Sequence, residues 1–171
     1  MIPADELCRD IQMKLPDCLW QLDYRERYLA GRYNEDFATD QRDGKTYLFG
    51  VADVPLQYEE AGAFTWGIWV EVSREDHDKY LARFQQDAVE GLQVEGRIAN
   101  DIPGYEDAFG AKVVMTLHAG RRPEVTVTEG SLAEDQKAGL TLDAHRELDA
   151  ILFGDDEEDE GDLDDVEDDA R

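Results

Sequence analysis

The chain has 171 residues, of which 42 are acidic and 17 basic, giving a formal net charge of −25. This length suits one domain with a hydrophobic core better than two. Nucleic acids and anionic membrane surfaces are bound through Lys and Arg, so the charge argues against both as partners and favours a basic protein. No apolar stretch approaches the roughly 20 residues that span a bilayer, and no secretory signal is visible, so we expect a cytoplasmic protein.

The apolar residues of the N-terminal region are spaced as expected for two helices. Apolar residues recur at helical intervals over 5–15, and Pro16 opens a second predicted helix over 17–31. Cys8 and Cys18 lie in these segments. Because cytosolic disulfides are rare and the spacing of zinc ligands is lacking, we interpret both as small apolar side chains. No metal site and no cofactor are predicted.

The middle of the chain is rich in strands. Asp43-Gly44 is a hairpin signal that joins a short strand near Phe37 to a strand over 45–54, which is apolar on both faces. The clearest strand runs over 64–72 and places Trp66 and Trp69 on opposite faces. One tryptophan should enter the core. The other either covers the second face of the sheet or forms an exposed anchor for a partner.

The rest of the chain returns to helices after three more strands. The predicted strands lie over 94–98, 111–117 and 124–128. The predicted helices run over 73–86, from Ser131 to Gly139 and from Thr141 to Gly154, with Ser73, Ser131 and Thr141 as their N-terminal caps. Hairpins dominate this order. It predicts an α+β fold, with an antiparallel sheet of about five to six strands and helices packed mainly on one face.

The acidic residues are concentrated at the C-terminus but extend through the whole chain. Residues 155–169 hold 12 acids, whereas residues 1–154 hold 30 acids and 16 bases, a net charge of −14. A segment as charged as the C-terminal one cannot offset its ordering entropy. We therefore predict a single domain over 1–154 and a disordered acidic tail over 155–171.

Few residues stand out as candidates for chemistry. His118 is predicted to end a strand beside Arg121 and Arg122, where the mouth of a pocket is conceivable. The two arginines could hold a carboxylate or phosphate by bidentate bonds, or they could form salt bridges with the abundant acids. His145 lies on a charged helix and is expected at the surface. The sequence contains no nucleophile elbow, P-loop, dinucleotide fingerprint or HExxH motif.

Several segments together resemble the bacterial family known as domain of unknown function 2199. The matching segments are Val54-Pro55-Leu56, Phe64 to Ser73, Gly104 to Asp107, Val114 to His118, Arg122-Pro123 and Gln136 to Leu140. Members of the family often begin with a CxxC pair suggestive of zinc, a spacing that Cys8 and Cys18 lack. The resemblance implies a small cytoplasmic bacterial protein without an assigned activity, in which His118, Arg122 and Gln136 could converge on a site.

Two functional hypotheses follow. The first is a non-enzymatic binding or regulatory protein for a basic partner, of which a toxin-neutralising protein would be one example, because the body is acidic and lacks a catalytic motif. The second is a ligand-binding or enzymatic domain with a pocket near His118, Arg122 and Trp69. The candidate binding residues are thus Trp69, His118, Arg121, Arg122 and Gln136.

Overall fold

The computed structural model describes residues 2–84 and 86–154; the predicted tail, 155–171, lies outside the described residues. The strands are β1 (Asp10–Gln12), β2 (Gly31–Tyr33), β3 (Phe37–Asp40), β4 (Lys45–Pro55), β5 (Ala63–Val72), β6 (Gln93–Ile98), β7 (Lys112–Thr116) and β8 (Glu124–Val127). The α-helices are α1 (Asp17–Trp20), α2 (Tyr24–Ala30), α3 (Arg74–Ala82), α4 (Ser131–Ala138) and α5 (Leu142–Phe153), and 3₁₀ turns cover Ala4–Glu6 and Asp87–Val89.

The strands of the described residues form one sheet that closes on itself. Its order is β1-β5-β6-β7-β8-β4-β3-β2, and β4 also pairs with β5, so β4 to β8 make a five-stranded barrel. The α+β class is confirmed, but the prediction of an antiparallel sheet of five to six strands was wrong. The sheet has eight described strands, and the β1–β5 and β4–β8 pairs are parallel. In an up-and-down run of five strands, the first and last point the same way, so closure pairs them in parallel.

The interior of the barrel holds the main hydrophobic core. Alternate residues of β5, among them Phe64, Trp66 and Ile68, point inward and are fully buried, as the alternation in the sequence predicts. The interior is tightly filled. A Cβ on Gly50 would lie 2.7 Å from Val125 Cγ2 and 3.1 Å from the carbonyl oxygen of Pro123, so a side chain at this position of β4 would force its neighbours to shift.

A second core lies on the outer face of the β4–β5 hairpin. Tyr47, Phe49 and Trp69 are buried there beneath Leu15 and Leu19 of the N-terminal segment. This segment does not form the predicted helix over 5–15, and the predicted helix over 17–31 is broken into two short ones. The segment forms strand β1, then the short helices α1 and α2, because it spreads over several surfaces of the sheet.

Gly67 allows the N-terminal segment to approach β5 closely. Strand β1 pairs alongside it, and a Cβ at position 67 would lie 3.3 Å from the Cα of Gln12 and 2.5 Å from Phe49 Cζ. A glycine between two tryptophans in a strand is typical of such a close approach.

Two of the three predicted helix caps are confirmed. Ser73 accepts a hydrogen bond from the backbone N–H of Asp76, although α3 ends at Ala82 rather than near 86. Thr141 likewise accepts from the N–H of Ala144 at the start of α5. Helix α4 differs, since its N-cap is Gly130 rather than Ser131.

A buried carboxylate in the hairpin region makes stability depend on pH. Asp40 is bonded to Arg42 Nη2 at 2.8 Å and Nε at 3.0 Å, and the arginine lowers the pKa of Asp40 below its ordinary value. A lowered folded-state pKa means that the ionised Asp40 stabilises the fold above its unfolded pKa of about 3.9. This contribution is lost as the pH falls through the lower, folded-state pKa.

We predict that Asp40→Asn will be less stable than the unaltered chain at pH 7. Its unfolding free energy should also fall less between pH 7 and pH 3, since the group that titrates has been removed. Urea unfolding at the two pH values measures both effects. The exposed Glu60→Gln is the matched control, and an equal response of the two variants would contradict the assignment.

Candidate functional site

The structure brings three of the five predicted site residues together in the loop between β7 and β8. His118, Arg121 and Arg122 lie there at one end of the barrel. His118 Nε2 and Arg121 Nη1 approach the same oxygen, Oε1 of Glu124, at 3.3 and 2.8 Å. We call these three residues, with the acidic residues around them, the basic corner. A role for the corner in binding stays a prediction.

His118 is buried between two carboxylates. Its Nδ1 is bonded to Glu90, whose other oxygen accepts the backbone N–H of Ala119 at 3.2 Å. The bond to His118 lowers the pKa of Glu90, so that carboxylate stays ionised at neutral pH. The imidazole thereby ties the β7–β8 loop to the segment that precedes β6.

Arg122 is held more loosely than Arg121. Its guanidinium lies 3.6 Å from Asp36 and 3.9 Å from Glu35, longer than a normal hydrogen bond, and stacks 4.6 Å over the ring of Phe49. A groove of about 210 Å³ opens beside it, lined by Asp36, Phe84, Gly120, Arg121 and Arg122. Arg122 therefore retains hydrogen-bonding capacity toward a ligand in this groove.

Trp69 lies beneath the basic corner rather than in its groove. It is 1% exposed, its Nε1 donates to the carbonyl oxygen of Met13 at 3.0 Å, and its ring meets Phe49 edge-on at 5.3 Å. Phe49 therefore separates Trp69 from Arg122. Of the two alternatives that the sequence left open, Trp69 adopts the first and covers the second face of the sheet.

Gln136 lies apart from the basic corner. Its Oε1 accepts from the N–H of Val127, and its Nε2 donates to the carbonyl oxygens of Val125 and Asp53. These bonds fasten α4 across the seam where β8 meets β4. The amide has both Nε2 protons and one Oε1 lone pair committed to the backbone, which is the signature of a structural residue.

Asn100 is a buried polar residue that the sequence reasoning missed. Its Oδ1 accepts from the N–H of Trp69 at 2.8 Å, and its Nδ2 donates to Leu15 O and Asp17 Oδ1, both at 2.9 Å. The Asn100 side chain thus joins β5 to the N-terminal segment that covers the outer face of the sheet. Its neighbours Asp101 and Pro103 suggested a turn, and nothing in the sequence set Asn100 apart from ordinary turn residues.

A second surface emerges only from tertiary contacts. The loop 101–110 packs against α4 and α5: Asp107 accepts the backbone N–H of Ser131 at 2.9 Å, and the Tyr105 hydroxyl donates to Asp135 at 2.7 Å. A Cβ on Gly104 would lie 3.0 Å from Leu148 of α5. We call this unit, residues 101–110 and 129–153, the acidic face.

The acidic face holds nine acids and two bases, a net charge of −7 out of the −14 carried by residues 1–154. Seven of the acids have exposed side chains: Asp101, Glu106, Asp107, Glu129, Glu134, Asp143 and Glu147. Three large apolar residues of the same unit, Phe109, Ile151 and Phe153, are also exposed. The sequence supplied the acids, but it did not show that two separate segments form one surface.

Among residues 2–84 and 86–154, no group of three or more His, Cys, Asp or Glu side chains is arranged to hold a metal ion, and Cys8 and Cys18 are both free. None of the described helices is long and apolar enough to cross a membrane.

Comparison with other proteins gives a family but no activity. No curated protein and no solved structure matches the chain. A family model described as an uncharacterised protein conserved in bacteria matches residues 4–140. The match confirms the family resemblance seen in the sequence and extends it to the N-terminal segment. The chain therefore belongs to the bacterial family of domain of unknown function 2199.

Proposed function

We propose that the protein is a non-enzymatic, cytoplasmic binding protein that holds a basic protein partner on its acidic face. One observation carries the proposal. In the described part of the chain, the salt bridges to Lys and Arg take up eight carboxylates, and none of these belongs to the acidic face. Half of the net charge of residues 1–154 is thus concentrated in a unit whose carboxylates form no salt bridge with a described Lys or Arg.

Carboxylates outside the acidic face differ from those on it, because many of them are paired with a Lys or Arg of the same chain. Glu59 is bonded to Arg9, and Glu124 to Arg121, so these acids have internal partners. On the acidic face, Asp107 is used to bind the backbone of Ser131, whereas Glu106 and Glu147 make no hydrogen bond with a described residue. A concentrated, unneutralised negative field steers a cationic partner and accelerates its association.

Apolar side chains on the same face provide contact area. Phe109 and Ile151 are more than half exposed, and Ile151 lies against Gly104 in the loop that carries Glu106. Interfaces gain most of their binding energy from a few buried apolar or aromatic anchors, surrounded by a polar rim. A partner with lysines or arginines around an apolar spot would match this arrangement.

A pull-down with the full chain as bait tests the proposal. At low salt it should recover a basic protein from cytoplasmic extract, and higher salt should release that protein, since screening weakens exposed charge pairs. Recovery should be lost with the double variant Glu106→Lys/Glu147→Lys. It should persist with Glu60→Lys/Glu95→Lys, which makes the same charge change at exposed sites elsewhere. Absence of any basic protein at low salt would count against the proposal.

A second candidate function is anion binding at the basic corner, which the loose pairing of Arg122 favours. Inorganic phosphate is a suitable probe because guanidinium groups bind it bidentately. Titration of the full chain should give saturable binding that Arg122→Met abolishes and Arg74→Met leaves unchanged. Four carboxylates, those of Glu35, Asp36, Glu90 and Glu124, already surround the corner, which ranks this candidate second.

A further inference from the structure

An exposed aromatic surface lies on α2 and β2, and it is followed within three residues by Glu35 and Asp36, which face Arg122 of the basic corner. Its apolar members are Tyr24, Tyr28, Leu29 and Tyr33, of which the first three are 83%, 71% and 64% exposed. Tyr24 and Tyr28 are one helical turn apart and so lie on the same side of α2. A groove of about 410 Å³ lies between Tyr28 and β2, lined by Tyr28, Leu29, Gly31, Arg32 and Tyr33. We call this surface the aromatic patch.

The fold alone gives no reason for the aromatic patch. Strand β2 is the last strand in the order of the described sheet and pairs with β3 alone, so its outer edge is open. The side chains of the patch belong to neither hydrophobic core. Contiguous exposed apolar surface on a protein usually marks a place where another segment or molecule binds.

The charge of the aromatic patch is opposite to that of the rest of the chain. Residues 24–33 contain three arginines against the single acid Glu26, a net charge of +2 in a chain of −25. Arg27 donates to backbone carbonyl oxygens of residues 19–22, and the exposed acids Asp23 and Glu35 flank the stretch, so its available cations are Arg25 and Arg32. Arg25 and Arg32 form no salt bridge with a carboxylate of the described residues. The occupant that fits best is therefore acidic, with some apolar side chains for the groove.

We propose that the aromatic patch binds residues 155–171 of the same chain. This segment contains 12 acids, and Leu163 and Val166 are its larger apolar residues. Its 17 residues can span about 55 Å when extended, whereas a compact chain of 154 residues is about 40 Å across. Most of the surface is thus within reach, and tethering gives an effective concentration near the millimolar range.

The charges near the start of residues 155–171 also favour binding at the aromatic patch. The segment follows Gly154 at the end of α5, which belongs to the acidic face, so like charges repel it from that surface. The aromatic patch offers the opposite charge on an open strand edge. Binding there would leave the acidic face free for a partner.

Site-specific photo-cross-linking of the full chain tests this proposal. A benzophenone amino acid at position 28 should form intramolecular cross-links that mass spectrometry maps to residues 155–171. The double variant Arg25→Glu/Arg32→Glu should reduce their yield at least fivefold. The control Arg83→Glu/Lys112→Glu, with the same charge change at exposed positions, should leave the yield unchanged.

Two results would overturn the proposal. Cross-linked dimers in place of intramolecular products would show that the patch binds a second copy. A yield from position 28 no higher than that from the exposed position 109 on the acidic face would show that residues 155–171 have no preference for the patch.

Discussion

Asn100→Ala should destabilise the fold by about 2–4 kcal/mol, because two buried hydrogen bonds and one part-buried one lose their common partner. The variant leaves the N–H of Trp69 and the carbonyl oxygen of Leu15 unpaired between β5 and the N-terminal segment. Since this segment covers Trp69, the loss should also expose that ring. Urea unfolding followed by tryptophan fluorescence measures both effects.

The neighbouring residue provides the control for Asn100. Asp101 has an exposed side chain that makes no hydrogen bond with a described residue, so Asp101→Ala should change stability by less than about 0.5 kcal/mol. If Asn100→Ala were as mild as Asp101→Ala, the N-terminal cover would not depend on the amide, and this account of the second core would be wrong.

His145→Ala should cost about 3–5 kcal/mol. His145 is fully buried in α5, its Nδ1 accepts the Tyr58 hydroxyl at 2.7 Å, and its Nε2 donates to the carbonyl oxygen of Cys8 at 2.7 Å. Its ring also meets Phe64 edge-on at 5.6 Å. The substitution therefore removes packing and leaves two partly buried polar groups without partners.

The free energy of unfolding of His145→Ala, from thermal or urea denaturation, is compared with that of Glu147→Ala, a variant on the same helix. Glu147 is exposed, so its replacement should be nearly neutral. Tyr58→Phe removes one of the histidine's partners, and its effect should be much smaller in the His145→Ala background than alone. Full additivity of the two substitutions would contradict the Tyr58–His145 bond.

The expectation that His145 lies at the surface was wrong for an instructive reason. The helical pattern of α5 identified Leu148 as buried, and the charged residues beside His145 suggested solvent. The N-terminal segment, however, packs against that side of the helix through Cys8, whose N–H also donates to Asp149. A contact across more than 130 residues leaves no trace in local periodicity.

The same limitation explains the error at the N-terminus. Leu7, Ile11 and Leu15 recur at helical spacing, but each is buried against a different part of the fold. Leu7 lies beside α5, Ile11 packs on the barrel core, and Leu15 covers Trp69. Helical spacing indicates a helix only when a single surface buries the residues.

Strands β3 to β8 were predictable within a few residues because their signals are local. Asp43-Gly44 fixes the turn before β4, and the alternation from Phe64 to Val72 separates the two cores. Barrel closure was not predictable, since it depends on a parallel contact between Val51 and Glu124 that neither strand encodes alone.

For the candidate site too, the sequence predicted contacts between residues close in the chain but not contacts between distant elements. His118, Arg121 and Arg122 are close in sequence, so their convergence required only a tight loop. Trp69 and Gln136 come from distant elements, and the structure assigns both to the framework of the barrel. The acidic face could not be predicted, because the sequence does not show that the loop 101–110 packs on α4 and α5.

The most direct test of the central claim is the affinity of the full chain for a lysine-rich peptide, measured by fluorescence anisotropy at low salt. Concentration of unpaired charge on the acidic face predicts that Glu106→Lys/Glu147→Lys weakens binding at least tenfold, about 1.4 kcal/mol. Glu60→Lys/Glu95→Lys should weaken it much less. Equal losses in the two variants would show that binding follows total charge and would contradict the claim.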